Sequence, residues 1–510
     1  MESKPNIVII FTDQQRADLR AGEGFPCDTM PFLDQMALSG CDFRKAYTPT
    51  PICMPTRCSL FTGRWPSALH ITSNQSDLQN IYYKTDLIEV LRKSGYMTAL
   101  CGKNHSYLRP TDFDHYFQAE HGGGSGPDRN EKELLFDQYL TALRHRTDFD
   151  PSPYGIEAQC PYRDVSDAID WIDSIGSKPF FLWLTFAEPH NPYQVPEPYF
   201  SMFEDAPAPS TGKQALAKKG FKFRWLRESW EKVCPDLDKE VDRGRKNYLG
   251  MLRLIDDQLR RFHEALSERG LTENTCVFFA SDHGDFVGEY GLPRKGAELS
   301  EPLCRVPFIV NGPVVRKSGA ITGAAVSLID IFPTICEMIG FPIPEGVQGR
   351  SLMPLLTGDD YPSEEFSSIY AEHGFGGLYF TGKEPLGLEE EGAINDGCTF
   401  DELNTWTQSG TARMVVEGDY KLILDMVGNG QLYNIKIDPT ELNDLYDIRD
   451  HTTVRDRLLS RMSMWQMRAA DDCIYPAQRY HFKKHPRNYQ WGANESETQV
   501  IPPAHGPRNR

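Results

Sequence analysis

Asn6–Phe11, NIVIIF, running straight into Thr12-Asp13-Gln14-Gln15-Arg16, decides the fold. The run is continuously apolar and rich in β-branched residues, which predicts a buried parallel strand rather than a half-exposed one. It ends on polar side chains. In open α/β sheets ligands bind beyond the carboxyl ends of strands, so Asp13 and Gln14 lie where chemistry is expected.

Working outward, the same scheme recurs. Asp86–Lys93 carries Leu87, Val90 and Leu91 at helical offsets, stops at Gly95, and gives way to a short strand, Tyr96–Leu100, that delivers Gly102-Lys103-Asn104-His105. Asp164–Ile175, with Val165, Ile169 and Ile172 on one face, feeds the strand Phe180–Phe186 and then Glu188-Pro189-His190-Asn191. An amphipathic helix over Asn247–Arg269, stopped by Gly270, leads into Cys276–Ala280 and Ser281-Asp282-His283-Gly284. Four strands thus end in acid, amide, lysine or histidine side chains, each beside a helix. That order predicts an α/β fold in which a large, mostly parallel sheet is flanked by helices, with one crevice at the strand ends.

Beyond this the pattern changes. Arg305–Val310 reads as a further strand, Ser327–Ile339 as a helix with an internal Pro333, and residues 340–367, rich in Pro and Gly, as a connector. Met414–Val416, Tyr420–Leu424 and Leu432–Ile435 are short strands separated by glycine turns, which suits an antiparallel meander, and Val454–Met467 reads as a helix over one of its faces. The expected division is a catalytic domain over 1–365, a smaller C-terminal α+β domain containing an antiparallel sheet over 366–470, and an irregular tail over 471–510. Glu120–Asn130 and Gly374–Gly410 show no readable periodicity.

With 40% apolar and 25% charged residues, the 510-residue chain has a globular composition, and no apolar run approaches bilayer length, so no membrane association is expected. A net charge of −18 argues against a nucleic-acid surface. It also repels an anionic substrate unless local cations reverse the potential. The twelve cysteines are scattered and read as free thiols rather than a disulfide framework. No charged-then-apolar leader precedes the first strand, so a cytoplasmic protein is expected, or a periplasmic or secreted one if a leader has been removed.

The reactive stretch is Thr48–Arg64, TPTPICMPTRCSLFTGR. Within it, Cys53-Met54-Pro55-Thr56-Arg57 followed by Cys58-Ser59-Leu60-Phe61-Thr62-Gly63-Arg64 resembles the signature of the type I sulfatases, with every defined position filled. The structural alternative is that Cys53 is simply a buried small hydrophobe. The resemblance covers roughly the first 310 residues and implies an alkaline phosphatase-like fold. It also implies that a separate formylglycine-generating enzyme oxidises Cys53 to formylglycine, whose hydrate supplies a nucleophilic oxygen. One divalent cation, Ca2+ first, with Mg2+ or Mn2+ behind it, would be held by Asp13, Gln14, Asp282 and His283. Gln14 replaces a common second Asp, and His283 stands where many relatives carry Asn.

By the same resemblance Arg57 holds the formylglycine hydrate, Lys103 binds sulfate and His105 contacts the formylglycine. His190 and Lys295 grip the sulfate and protonate the departing oxygen, and Asp282 takes up the nucleophile's proton. Covalent catalysis of this kind splits one difficult displacement into two easier ones.

For the substrate, Lys213–Lys232 interleaves seven lysines and arginines with Phe221, Phe223, Trp225 and Trp230. That suits stacking on a sugar with extra anionic groups, or a solvated helix whose aromatics pack inward. The basic segment Arg479–Arg487 could also serve the crevice. A sulfated carbohydrate is expected first, and aryl or small alkyl sulfates after it. The alternatives are a phosphonate monoester or phosphodiester hydrolase of the same superfamily, against which the Lys103 and His105 pair stands, and a non-catalytic glycan-binding relative.

Overall fold

The computed structural model describes residues 4–125, 129–296, 298–376 and 410–472. Nine strands form one sheet: β1 Asn6–Thr12, β2 Cys41–Tyr47, β3 Met97–Gly102, β4 His115–Glu120, β5 Gly123–Ser125, β6 Phe180–Thr185, β7 Thr275–Ser281, β8 Phe308–Asn311 and β9 Gly319–Ser327. Four more form a second: β10 Ser368–His373, β11 Ala412–Glu417, β12 Tyr420–Asp425 and β13 Gly430–Asn434.

The large sheet runs β5-β4-β3-β6-β1-β7-β8-β2-β9. Its centre is parallel, from β4 through β3, β6 and β1 to β7, as is the β2–β9 edge; β5 and β8 run antiparallel to their neighbours. The sheet is therefore mixed but mostly parallel. β1 sits in the middle, and its alternate residues feed opposite cores. Ile7, Ile9 and Phe11 pack with Leu60, Phe61, Trp183 and Phe278, whereas Val8 and Ile10 pack with Leu184, Phe279 and the helix residues Leu252, Ile255 and Leu259. Both faces of β1 are covered, which is why NIVIIF is apolar without interruption.

The long helix spans Leu237–Glu268, starting ten residues before the expected Asn247. Its first turns carry Asp238, Glu240 and Arg243, so the apolar periodicity is silent there. The helix expected over Ser327–Ile339 is a 3-10 turn, Leu328–Asp330, capped by Ser327 and Asp330, followed by a helix from Ile331 to Met338 with Pro333 in its first turn, where a missing N–H costs nothing.

The second sheet is the expected antiparallel meander, β10-β11-β12-β13, with the unforeseen β10 at its edge. The helix Thr452–Ala470 covers one face, setting Leu458, Met462 and Trp465 against Val415, Leu422 and Leu432. Lys421, fully buried, joins the two sheets by ion pairs to Glu441 at 2.6 Å and Glu301 at 3.1 Å. Ten cysteines are described and each is a free thiol. Among the described residues no helix is long and apolar enough to cross a membrane.

Candidate active site

The stretch leading out of β2 turns into the helix Cys53–Thr62, which begins at Cys53 itself. Thr48 Oγ1 bonds Thr56 Oγ1 at 2.9 Å, and Thr56 Oγ1 donates to the Thr50 carbonyl at 2.6 Å, so the turn is stapled to the helix it starts. At the far end Gly63 takes a left-handed φ of 64° and its N–H reaches the Ser59 carbonyl, a conformation that favours glycine. Cys53 is thereby fixed, 1% exposed, at the positive end of a helix dipole.

Two strand ends and a loop meet it. Lys295 Nζ lies 2.7 Å from Cys53 Sγ, His283 Nε2 lies 3.1 Å away, and Asp13 Oδ1 lies 3.7 Å away. From the end of β1, Asp13 Oδ2 accepts from Lys103 at 2.5 Å and Arg57 at 3.2 Å. From the end of β7, Asp282 Oδ2 accepts from Arg57 Nε at 3.0 Å, while its Oδ1 accepts the N–H groups of Gln14 and His283 at 2.9 and 2.8 Å. Arg57 completes its set on the Lys103 carbonyl and Thr185 Oγ1, each at 2.9 Å. One helical turn on from Cys53, the guanidinium ties the two carboxylates together.

Charge is concentrated and dry here. Burial opposes ionisation of Asp13, but Lys103, with Arg57 and Lys295 behind it, holds its carboxyl well below the usual carboxylate range. Burial, then the neighbouring Asp13 charge, pushes Asp282 up. For Cys53, burial and Asp13 oppose the thiolate, yet Lys295, His283 and Lys103 outweigh them and bring the thiol well below its ordinary value. These are the surroundings in which a cysteine becomes reactive.

The donor set fits a cation. Oxygen, nitrogen and sulfur atoms of Asp13, Asp282, His283 and Cys53 lie within 4.8 Å of one another. Gln14 is held by its Nε2 donating to Asp285 Oδ2 at 2.5 Å, which leaves its buried Oε1 without a hydrogen-bond partner. An orphaned amide oxygen beside two buried carboxylates suits a hard cation.

The remaining expected residues are less uniform. His190 stands at the crevice with Nδ1 2.6 Å from the Asn191 carbonyl. His105, with φ of 42°, has a buried Nδ1 without a partner, and among the described residues it makes no hydrogen bond to Cys53. Sequence reasoning missed His121, whose Nε2 is 2.5 Å from Lys103 Nζ and whose ring stacks on His190 at 3.8 Å, with His145 edge-on to both. It falls in the aperiodic Glu120–Asn130 stretch, where no spacing signals a site. Asp285 was missed too, although an acid three residues past Asp282 was a visible signal; fully buried, it holds Gln14, Tyr193 and the Val287 N–H.

The aromatics of Lys213–Lys232 turn inward. On the helix Phe221–Val233, Phe223, Leu226 and Trp230 pack with Phe286, Tyr290 and Leu292. They are core residues, and the structural alternative holds for them. Arg479–Arg487 lies outside the described residues.

An α/β sheet whose strand ends bring acids, lysines and a histidine around a cysteine on a helix N-terminus is the architecture of a hydrolase acting on anionic esters. The comparisons agree. A sulfatase family model matches residues 5–341. The arylsulfatase of Clostridium perfringens is 31% identical over 405 residues, covering 73% of this chain and 82% of that protein. Among solved structures, the phosphonate monoester hydrolase of Silicibacter pomeroyi superposes with a TM-score of 0.74 at 20% identity, covering 92% of this chain and 96% of that one. That of Agrobacterium radiobacter gives 0.72 at 19% identity, covering 92% and 97%. The chain belongs to the sulfatase family, within the alkaline phosphatase superfamily.

Proposed function

We propose that the chain hydrolyses a sulfate ester, a sulfated carbohydrate before an aryl or alkyl sulfate, at Cys53 matured to formylglycine. The observation that carries this is the pair of buried ammonium groups, Lys295 on Cys53 and Lys103 on Asp13, in a chain of net charge −18. Both are charge-paired inside the site, and they supply the local positive charge that an anionic ester needs to enter so acidic a chain. When present, formylglycine would supply the nucleophilic oxygen, and a divalent cation on Asp13, Gln14, Asp282 and His283, Ca2+ first, would polarise it.

The chain's own residues do the rest. Lys295, whose charged form Asp13 favours against burial, grips the oxyanion. His190 is kept neutral, by desolvation in the crevice and by His121. A bound anion beside it favours its charged form, so its proton becomes available to the leaving oxygen only once substrate is in place. Arg57 keeps Asp13 and Asp282 at fixed separation.

A second reading is hydrolysis of a phosphonate monoester or phosphodiester. The likeness of the whole chain to two phosphonate monoester hydrolases supports it better than it supports the sulfate ester. All three ester classes present one negative charge on a tetrahedral centre, so the cations suit each of them. Turnover of an aryl sulfate, a phosphate diester and a phosphonate monoester by protein made with a formylglycine-generating enzyme separates the readings. The sulfate should be cleaved fastest; preference for the phosphonate selects the second reading, and no turnover of any leaves a glycan-binding relative. A peptide mass spectrum across Cys53, with a Cys53→Ala control, tests the nucleophile. A free thiol in fully active protein would sink the formylglycine step.

A further inference from the structure

A second group of donors lies on the helix-covered side of the sheet. Cys101 on β3, His115 on β4 and Asp167 on the helix Cys160–Ile175 place sulfur, imidazole nitrogen and carboxylate oxygen within 4.8 Å of one another. Cys101 Sγ donates to Asp167 Oδ2 at 3.1 Å, and His115 Nε2 lies 2.6 Å from the same oxygen. Two donors converging on one carboxylate oxygen is the arrangement of a metal site filled by protons. Bound to Zn2+ with ordinary bond lengths, tetrahedral neighbours stand roughly 3.3–3.5 Å apart, so the Cys101–Asp167 pair needs to open by at most about half an ångström and the His115–Asp167 pair by somewhat under one. His115 and Asp167 are 30% and 23% exposed, which leaves them free to move and gives an ion a way in.

The surroundings favour a cation. Burial, then Asp167 and Asp164, push the Cys101 thiol well above its ordinary value. Asp164 is fully buried with neither carboxylate oxygen hydrogen-bonded. The side chain bonded to this thiol is a carboxylate, Asp167, whereas the thiol of Cys53 lies against the ammonium group of Lys295. Stacking of His115 on Trp171 at 6.0 Å orients the ring from behind.

We propose that Cys101, His115 and Asp167 form a second metal site, for a borderline transition ion such as Zn2+, open to water at its fourth position. A thiolate, an imidazole and a carboxylate are a donor set for zinc rather than for calcium or magnesium. Binding releases the thiol proton and cross-links β3 and β4 to the helix over them.

Cobalt(II) titration tests this, since a thiolate ligand gives a near-ultraviolet charge-transfer band and tetrahedral coordination gives visible bands. Cys53→Ser protein removes the thiol of the crevice cluster. It should still bind one Co2+ with a thiolate band, displaced by Zn2+, and Zn2+ should raise its melting temperature, because an ion that binds only the folded state stabilises it. Adding Cys101→Ser should abolish the thiolate band, and adding Asp167→Asn instead should weaken the Co2+ binding that this band reports by about ten-fold or more. Asp167→Asn serves as the ligand test should the buried Cys101 replacement fail to fold. Absence of a thiolate band in Cys53→Ser protein, its survival in Cys101→Ser, or unchanged affinity in Asp167→Asn would each overturn the site.

Discussion

Lys103, at the end of β3, and Lys295, on the loop before the helix Glu301–Cys304, are each already paired with an anionic group, Asp13 for the first and the cysteine for the second. Removing either leaves a carboxylate or the bound oxyanion without its counter-charge in a dry site. Lys103→Ala and Lys295→Ala should each lower turnover by about 10²–10³-fold with the fold intact by circular dichroism, the scale seen when one oxyanion donor is lost. His190→Ala should also depress turnover severely, and near-normal rates would remove it from the site. Glu188, next to these residues, is buried with one oxygen unpartnered, and burial pushes its carboxyl from 4.5 up to about 7. A raised carboxyl binds its proton more tightly in the folded state, so the stability it lends is full below pH 4.5 and is lost as pH rises through about 7. Urea denaturation should therefore show Glu188→Gln gaining on the parent by about 3 kcal/mol between pH 4 and pH 8, with little difference at the acid end. At this scale the sequence revealed residues that stand at strand ends or inside the Cys53 motif. It hid His121 and His145, because a loop histidine has no periodicity to betray which neighbours the fold will give it.

Among the elements, β3 and β6 are drawn together most tightly at Gly102, where φ is 114° and any added Cβ would run into the Thr185 carbonyl. Lys103, one residue on, donates its N–H to that same carbonyl at 2.8 Å. Gly102→Ala should cost about 3 kcal/mol or more, since both strain and a backbone shift follow, and should raise KM by moving Lys103; a denaturation curve and steady-state kinetics check the two parts. Elements buried on both faces or along one clean stripe were legible, as β1, β6, β7 and the distal part of Leu237–Glu268 show. β4, β5 and β9 were not. β5 is Gly-Gly-Ser at a sheet edge, and β9 starts with half-exposed and exposed residues, so neither carries the apolar run on which strand reading depends.

At the level of the whole molecule, the two sheets are joined through charge as well as apolar contact. Lys421 sits between Glu441 and Glu301, and Lys219 lies 3.8 Å from Glu441 on the other side. Lys421→Ala takes the close counter-charge from the buried Glu441 and should cost about 3 kcal/mol, read as a lower urea midpoint, whereas Lys421→Met with Glu441→Leu should recover much of the loss. The depth of Cys53 sets an order of events for the chain. With the residue 1% exposed beneath Lys295 and His283, no enzyme-sized catalyst can reach it once the strands have closed. Any conversion of this cysteine must therefore happen on the nascent or unfolded polypeptide, and each molecule that folds first is committed to remaining a thiol.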